Sequence, residues 1–358
     1  MKPVFMRQFS FLVLIVFVAC SGDSMYYLDQ QPIDIVSKKN EATFHAAKAP
    51  SEPVSYLTGS AADVNTTTSA GLVLMGGSTD VDAAIAWLLT KSGGGDIVVI
   101  RASGADGYNT YMYNMVPVNS VETIVIDSRT KAELPSVSQR IRNAEALFIA
   151  GGDQWNYVNY WKNTATETAI NYLINTKQVP VGGTSAGLAI LGQAYYSAEK
   201  GSVTSTQALG NPFHRYVTIG HSDFINAPYL QNLITDSHYT QRDRQGRHIT
   251  FMARLMNTMG FTNIKGLGID EQTAVCIDQN GIANVFGINN AYFLSNASQG
   301  AETCVSGLPL TWNVNNQAIK AYRIAGSLTG NGSVDMANWN NASGGISYFY
   351  YVVNGVLF

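Results

Sequence analysis

Charged side chains are scarce in this chain. Asp, Glu, Lys and Arg make up 13% of its 358 residues, about half the ~25% usual for soluble domains. Disorder needs the opposite mix, high charge with low hydrophobicity, whereas 46% of the residues here are hydrophobic. There is no basic run and the net charge is −3, so the electrostatic footprint of a nucleic-acid-binding protein is missing. Cysteine is limited to Cys20, Cys276 and Cys304, with no metal-like spacing. A bridge between Cys276 and Cys304 and two buried free thiols fit an exported chain equally well. Five histidines give imidazole chemistry a short list of candidates. Past the N-terminus no apolar run approaches the ~20 residues of a membrane span, and no fixed-period repeat is present. What is abundant is glycine, 33 residues, and tyrosine, 19.

The first 20 residues, MKPVFMRQFSFLVLIVFVAC, place Lys2 and Arg7 before a short apolar stretch over 9–18. That is the layout of a secretory signal, too short to span a bilayer. Its end, Val18-Ala19-Cys20, resembles a bacterial lipoprotein signal, in which a Cys after small residues becomes lipid-modified. Phe17 stands where that pattern usually has Leu. The expectation is a signal peptide over 1–19, a lipidated Cys20 and an exported chain anchored by lipid to a bacterial membrane, periplasmic or at the cell surface. An ordinary secretory signal is the alternative. Residues 20–69 are polar and broken, and read as the lipidated Cys followed by a tether.

From Gly71 the pattern changes. Leu72–Met75 reads as a buried strand ending in Gly76-Gly77, and 80–89 as a helix with Ala84, Trp87 and Leu88 on one face. Further strands are read over 96–100, 121–126, 146–150 and 179–181, and helices over 153–161 and 164–174. Strands alternating with helices imply an α/β fold, a doubly wound parallel sheet, with its site beyond the carboxyl ends of the strands. Residues 70–304 are taken as this domain. Residues 305–358 hold only Lys320, Arg323 and Asp335 as charges and end in a hairpin signal, Asn354-Gly355. They are read as a small C-terminal β appendage that caps a sheet edge.

The strongest chemical signal is Gly182-Gly183-Thr184-Ser185-Ala186-Gly187. It follows a strand and precedes an apolar helix, the context of a nucleophile elbow. Ser185 Oγ would stand at the top of the sheet and the Ala186 N–H would point at an oxyanion. A glycine turn at a helix N-cap is the plainer reading. Gly151-Gly152-Asp153-Gln154 also follows a strand. Its Gly152 amide is read as a second oxyanion donor and Gln154 as a substrate contact, although a tight strand-to-helix turn explains the segment equally well. The third segment runs from Asp236 through His238 to Arg242, Arg244 and Arg247. His238 is the best candidate for a base, on one helix face with Arg242 at i, i+4. A lone His is more often structural and an Arg set more often a solvated or salt-bridged face, but arginines also suit two-point binding of carboxylates, and hence a peptide rich in Asp or ending in a free carboxylate.

Taken together, Gly151–Gln154, the Gly183–Gly187 elbow, the Asp-x-His-x-x-x-Arg-x-Arg-x-x-Arg run and Gly266–Ala274 resemble the cyanophycinase and dipeptidase E family of serine peptidases over roughly 71–295. The resemblance implies a fold like that of class I glutamine amidotransferases (flavodoxin-like), with Ser in place of Cys at the elbow. It implies Ser185 as nucleophile and His238 as general base, oriented by a carboxylate between them in sequence. Glu199 is the choice and Asp223 the fallback. It implies an oxyanion hole at Gly152 and Ala186, and substrate recognition by Gln154, Asp236, Arg242, Arg244 and Arg247. No metal or organic cofactor is implied, and a homodimer is compatible with it. Cyanophycinases cut poly-aspartate carrying arginine on its side chains. Two departures stand out. Ser237 occupies a position commonly Gln in that family, and the 53 residues from Ser185 to His238 suggest an insertion over 207–221. Competing readings are a non-catalytic surface binding protein on the same fold and an α/β-hydrolase-type esterase. The latter usually has its His near the chain end, where this chain has none after His248.

Overall fold

The computed structural model describes residues 51–296 and 299–358. The signal segment, Cys20 and most of the expected tether lie outside these residues. The first half of the described chain runs β1 (Val54–Gly59), β2 (Gly71–Met75), α1 (Asp82–Lys91), β3 (Asp96–Arg101), α2 (Asn109–Tyr113), β4 (Ser120–Val125), α3 (Arg129–Ala132), α4 (Pro135–Asn143), β5 (Ala146–Ile149), α5 (Gln154–Trp161), α6 (Ala165–Tyr172) and β6 (Pro180–Thr184). After the elbow come α7 (Ala186–Ala189), β7 (Ala194–Tyr196), α8 (Ser205–Gly210), β8 (Ile219–His221), β9 (Leu233–Asp236), α9 (Gln245–Thr258), β10 (Lys265–Ile269), β11 (Thr273–Asp278), β12 (Ile282–Gly287) and β13 (Asn290–Asn296). The tail adds β14 (Ile319–Ala325), β15 (Asn331–Asp335), β16 (Ala342–Ser343), β17 (Ile346–Tyr350), β18 (Val352–Val353) and β19 (Val356–Leu357).

The strands before the elbow read as near-continuous apolar runs because both faces are covered. On one face Val73, Met75, Ile97, Val99 and Phe148 pack against α1 through Ile85 and Leu88. On the other, Leu74, Ile100, Leu147, Ile149 and Val181 face the α4, α5 and α6 side, with Ile141, Trp161 and Ile170. This is the doubly wound parallel core expected from the sequence: β4, β3, β5, β6 and β2 lie side by side, all parallel. Antiparallel β11 and β12 follow β2, so the first sheet grows to ten strands.

A second sheet of seven strands runs β17-β14-β13-β10-β9-β7-β8. Its Leu267, Ile269, Phe293 and Ile324 join the central core. The opposite face carries Ile234, Leu294, Ile319 and Ala321 onto α9 through Ile249, Met252 and Leu255. The parallel strands β9 and β10 thus end beside β2 and β6, which brings two sets of strand carboxyl ends together.

Two expectations change at the edges. Within the stretch read as tether, β1 pairs antiparallel with β4 along its whole length and covers that edge of the sheet. The tail is rich in β structure but is not a separate appendage. β15 extends the first sheet from β12, while β14 and β17 extend the second from β13. The hairpin expected at Asn354-Gly355 is the small β18–β19 pair, with φ of 47° and 78° at the two turn residues, the left-handed pair of a type I′ turn. Ile346–Tyr350, expected in that hairpin, pairs with β14 instead. Cys276 and Cys304 are both buried and unbridged, and burial pushes the Cys304 thiol up to about 11.

The tail contributes Leu310, Trp312, Ile319, Ala321, Ile324, Met336 and Val352, all essentially inaccessible. At about 1.5–3 kcal/mol for each large side chain, their sum is comparable to the whole ~5–15 kcal/mol stability of a typical domain. Deleting residues 305–358 is therefore expected to abolish the cooperative thermal transition. A truncated chain that melts like the parent would show the tail to be dispensable.

Candidate active site

The site is built where the two sheets meet. At the end of β6 the chain turns through Ser185, whose φ is 52° and ψ −108°, a strained conformation for a residue with a Cβ. The Ser185 N–H donates to Met75 O at the end of β2, 3.0 Å away. On the other side, β9 ends at Asp236 and the chain turns through His238, with φ of 47°. The His238 N–H donates to Gly76 O at 2.8 Å. The expected shared helix face of His238 and Arg242 is not formed, since α9 begins only at Gln245 and 237–244 is a series of turns.

Ser185 Oγ lies 2.7 Å from His238 Nε2, and His238 Nδ1 lies 2.6 Å from Glu271 Oε1. With Nδ1–H donating to the carboxylate, Nε2 presents its lone pair to the hydroxyl, as a base for an attacking serine must. Burial lowers the pKa of His238, assisted by the Arg242 and Arg244 charges and opposed by its bond to Glu271. The bond from His238 holds Glu271 below the usual carboxylate range. Glu271 itself is fixed by its main chain. Its N–H donates to the Gln241 side chain and its carbonyl accepts from Asn289 Nδ2, at 2.9 and 2.8 Å.

Glu271 replaces the carboxylate expected from sequence. Glu199 is surface-exposed and paired with Lys200 at 2.7 Å, and Asp223 is held by Lys162 and the Tyr195 hydroxyl. Both line a separate cavity of about 560 Å³, together with Trp155 and Arg254. Glu271 lies 33 residues after His238, so the order along the chain is Ser, His, Glu. The signal for it was its place at a strand carboxyl end, just past β10, within the quoted Gly266–Ala274 stretch.

Gly77 was also missed as a site residue. With φ of +94°, it lies where a Cβ would come within 2.6 Å of His238 Nε2 and 3.0 Å of Ser185 Cβ. Only glycine lets the two rows of side chains close on each other here. Gly151 runs beside Ser185, its Cβ direction 3.6 Å from the serine Cβ. The Tyr157 hydroxyl bonds the Ala150 and Gly151 carbonyls at 2.8 and 3.1 Å and so fixes the peptides of the glycine pair. Among the described residues the N–H groups of Gly151, Gly152 and Ala186 have no backbone acceptor. That leaves them available as donors, Ala186 directly after the serine and Gly151 beside it, as an oxyanion hole requires.

The arginine run divides in two. Arg247 and Asp236, both expected to touch substrate, are buried side by side. The guanidinium meets the carboxylate at 2.8 Å through Nε and 2.6 Å through Nη2. Arg247 also reaches Ser202 and Val203. Burial alone would raise the Asp236 pKa, but the Arg247 charge and bonds outweigh it and leave it lowered. Removing one partner of such a pair strands the other and costs about 3–5 kcal/mol, so the pair holds the β9 end to α9. Arg244 donates to the Ser237 carbonyl at 2.9 Å and is mostly covered, its pKa lowered to about 10 by burial. Arg242 is different. Its side chain is 53% exposed and its Nε is 3.5 Å from Glu271. Gln154 sits at the start of α5 with Nε2 3.5 Å from Tyr196 O. Of the five expected substrate contacts, Arg242 is left largely open.

The sequence model of a family described as peptidase family S51 matches residues 72–285. Curated relatives include a cyanophycinase from Nostoc sp., 24% identical over 176 residues covering 49% of this chain and 53% of the relative. Another, from Thermosynechococcus vestitus, is 23% identical over 49% of each chain. The chain thus spans about half the length of the curated relatives it matches. A solved peptidase from an acI-B1 Actinobacterium is similar over 68% of this chain and 93% of its own, at 14% identity and a TM-score of 0.46.

Reactivity of Ser185 toward a fluorophosphonate probe tests this geometry without a known substrate. Glu271→Gln is expected to slow labelling at least tenfold, because the ring loses the acceptor that fixes its tautomer, while Glu199→Gln labels like the parent. The reverse result would return the orienting role to Glu199. Gly77→Ala is expected to suppress labelling although the far-ultraviolet circular dichroism is retained. Parent-like labelling would mean that the turn has room to yield.

Proposed function

This chain belongs to peptidase family S51, and from that premise we propose that it is a serine-type peptidase hydrolysing peptide or isopeptide bonds at aspartyl residues, with Ser185, His238 and Glu271 as its catalytic residues. The observation that carries the reading is the hydrogen-bonded series from Ser185 through His238 to Glu271, at a strained turn inside the region matched by the family.

In this mechanism His238 takes the Ser185 proton as Oγ attacks the substrate carbonyl. The N–H groups of Gly152 and Ala186 bind the oxygen that becomes negative. Glu271 stabilises the imidazolium and keeps Nε2 aimed at the reacting atoms. His238 then gives its proton to the leaving amine, and water, deprotonated by the same nitrogen, releases the acyl group from Ser185. Arg242, exposed and next to Glu271, is placed to meet a carboxylate of the substrate, which favours aspartyl residues. Ser237, at the position commonly Gln in the family, is buried. Its carbonyl is occupied by Arg244 and its N–H by Asp236, so it serves the loop. The same proposal places the chain outside the cytoplasm, exported through residues 1–19 and held to a membrane by lipid on Cys20. The N-terminal mass of protein extracted from membranes would test that placement.

Two measurements check the reading. Mass spectrometry of parent and Ser185→Ala protein incubated with cyanophycin and with aspartyl and isoaspartyl peptides should show cleavage by the parent alone. No cleavage together with no labelling of Ser185 would favour a binding protein on this fold. Because the neutral imidazole is the active form and burial lowers its pKa, kcat/KM should stay high as pH falls past the 6.5 of a free imidazole. It should decline only below that value. Arg242→Gln removes a charge that disfavours the imidazolium, so its acid limb should move to higher pH. An acid limb that stays in place would show that Arg242 does not act on His238.

A further inference from the structure

The family match ends at residue 285, yet β13, β14 and β17 beyond it lie side by side with β10, the strand that leads to Glu271. On the second sheet Gly268, Tyr292 and Arg323 lie directly opposite one another across β10, β13 and β14. The next strand, β17, adds Tyr348 opposite Ala321 and Tyr350 opposite Ile319. All of these are on the face that also carries Tyr239, the residue after His238, whose ring packs against Gly268 and lies 5.1 Å from that of Tyr292. The Tyr348 and Tyr350 hydroxyls are 3.1 Å apart. Asp270 ties this surface to the loop over the site. Its Oδ1 accepts from the Thr240 N–H at 2.9 Å and the Thr240 hydroxyl at 2.7 Å. Burial, and then the nearby Asp270 carboxylate, push the Tyr292 hydroxyl up to about 12, while Arg323 counters them.

Arg323 is the unusual member. It is half-buried, and among the described residues no carboxylate lies within ion-pair distance of it. Arg140, Arg242, Arg244 and Arg247 each have an acidic partner, Arg101, Arg129 and Arg254 are held by backbone carbonyls, and Arg142 and Arg215 lie over tyrosine rings; Arg323 meets instead the Tyr292 hydroxyl. A half-buried guanidinium with no carboxylate beside it keeps the planar fork that can take a carboxylate through two parallel N–H groups.

We propose that Arg323, with the Tyr348 and Tyr350 hydroxyls, forms an outer subsite for a carboxylate-bearing residue of an extended acidic peptide. The proposal rests on the peptidase reading above and adds where a longer substrate runs. Two strand spacings of about 5 Å separate Arg323 from Gly268, and Glu271 is three residues, about 10 Å, farther along the strand direction. The diagonal to Glu271 is at most roughly 14 Å, the span of about four extended residues, and Ser185 stands on the far side of His238 from Glu271, so the residue held is several positions from the bond cleaved.

The test compares aspartyl peptides of about two and about eight residues as substrates of the parent, Arg323→Gln and Arg323→Lys proteins, with matched thermal unfolding as the control for folding. The parent should show a lower KM on the long peptide than on the short one. In Arg323→Gln this length advantage should shrink roughly tenfold, the worth of one charged hydrogen-bonded contact, and Arg323→Lys should restore part of it. A length advantage that survives Arg323→Gln would overturn the subsite and leave the peptidase reading standing. In parallel, binding of a fluorescein-labelled long aspartyl peptide is measured by anisotropy in the Ser185→Ala background. Binding weakened by Arg323→Gln without cleavage by the parent would support the subsite and remove the peptidase reading. Binding indifferent to Arg323 would overturn the subsite.

Discussion

The turn at Met75, Gly76 and Gly77 sets the register between the two halves of the site. Its carbonyls accept from Ser185 N at 3.0 Å, His238 N at 2.8 Å and Gln272 N at 3.0 Å. These are three backbone bonds to three different segments: the elbow after β6, the turn after β9 and the link from β10 to β11. Each segment carries one member of the Ser185–His238–Glu271 series or its immediate neighbour. Backbone bonds in a buried place are costly to leave unmade, so the three side chains are held by the main chain rather than by their own contacts. The absence of a Cβ at Gly77 then lets the serine and histidine close to 2.7 Å over that turn.

This arrangement explains which features could be read from the sequence. The strands of the parallel core are buried on both faces and appear as apolar runs. The elbow needs small residues at a strand-to-helix turn, so its composition announces it. His238 stood out because few histidines exist and arginines follow it. Glu271 was harder to find, because the partner of a histidine is fixed by which strand ends lie side by side, and that depends on pairing in the second sheet. Sequence order pointed to Glu199 and Asp223, which the fold carries to a different cavity. The arginine run misled for a related reason. A buried pair such as Arg247 and Asp236 and an exposed contact such as Arg242 look the same in a string of residues. Only burial separates them. The same limit hid the tail, whose strands are short and interrupted by Asn and Gly, and whose pairing partners lie in both sheets.

The scarcity of charge gains a physical meaning once the fold is known. Few charges are left over for the interior, and the ones placed there are paired or hydrogen-bonded: Arg247 with Asp236, Lys177 with the inaccessible Glu145, and Asp270 with Thr240 and Asn290. Around Ser185 and His238 the balance is set by a few groups at close range. Glu271 favours the charged imidazole, while burial, Arg242 and Arg244 oppose it. A base for neutral pH must remain unprotonated in the resting state yet be able to carry a proton during the reaction. Low resting basicity comes from burial and the flanking cations. The capacity to hold the proton comes from Glu271, which is 22% exposed and fixed through its own main chain by Gln241 and Asn289.

Asn289 links this electrostatic arrangement to the architecture beyond the matched family region. Its side chain bonds the Glu271 carbonyl, and its own carbonyl accepts from Gly326 N at 2.7 Å. The turn after β14 therefore braces the turn between β12 and β13, which in turn braces Glu271. A tail that merely covered a sheet edge would need no contact with this turn. Because β14 both supports Glu271 through that relay and presents Arg323 on the outer face, the same strand can govern the base and the approach of substrate. Changes in the tail should for that reason register first at the site, through the position of one carboxylate, before they register in the parallel core.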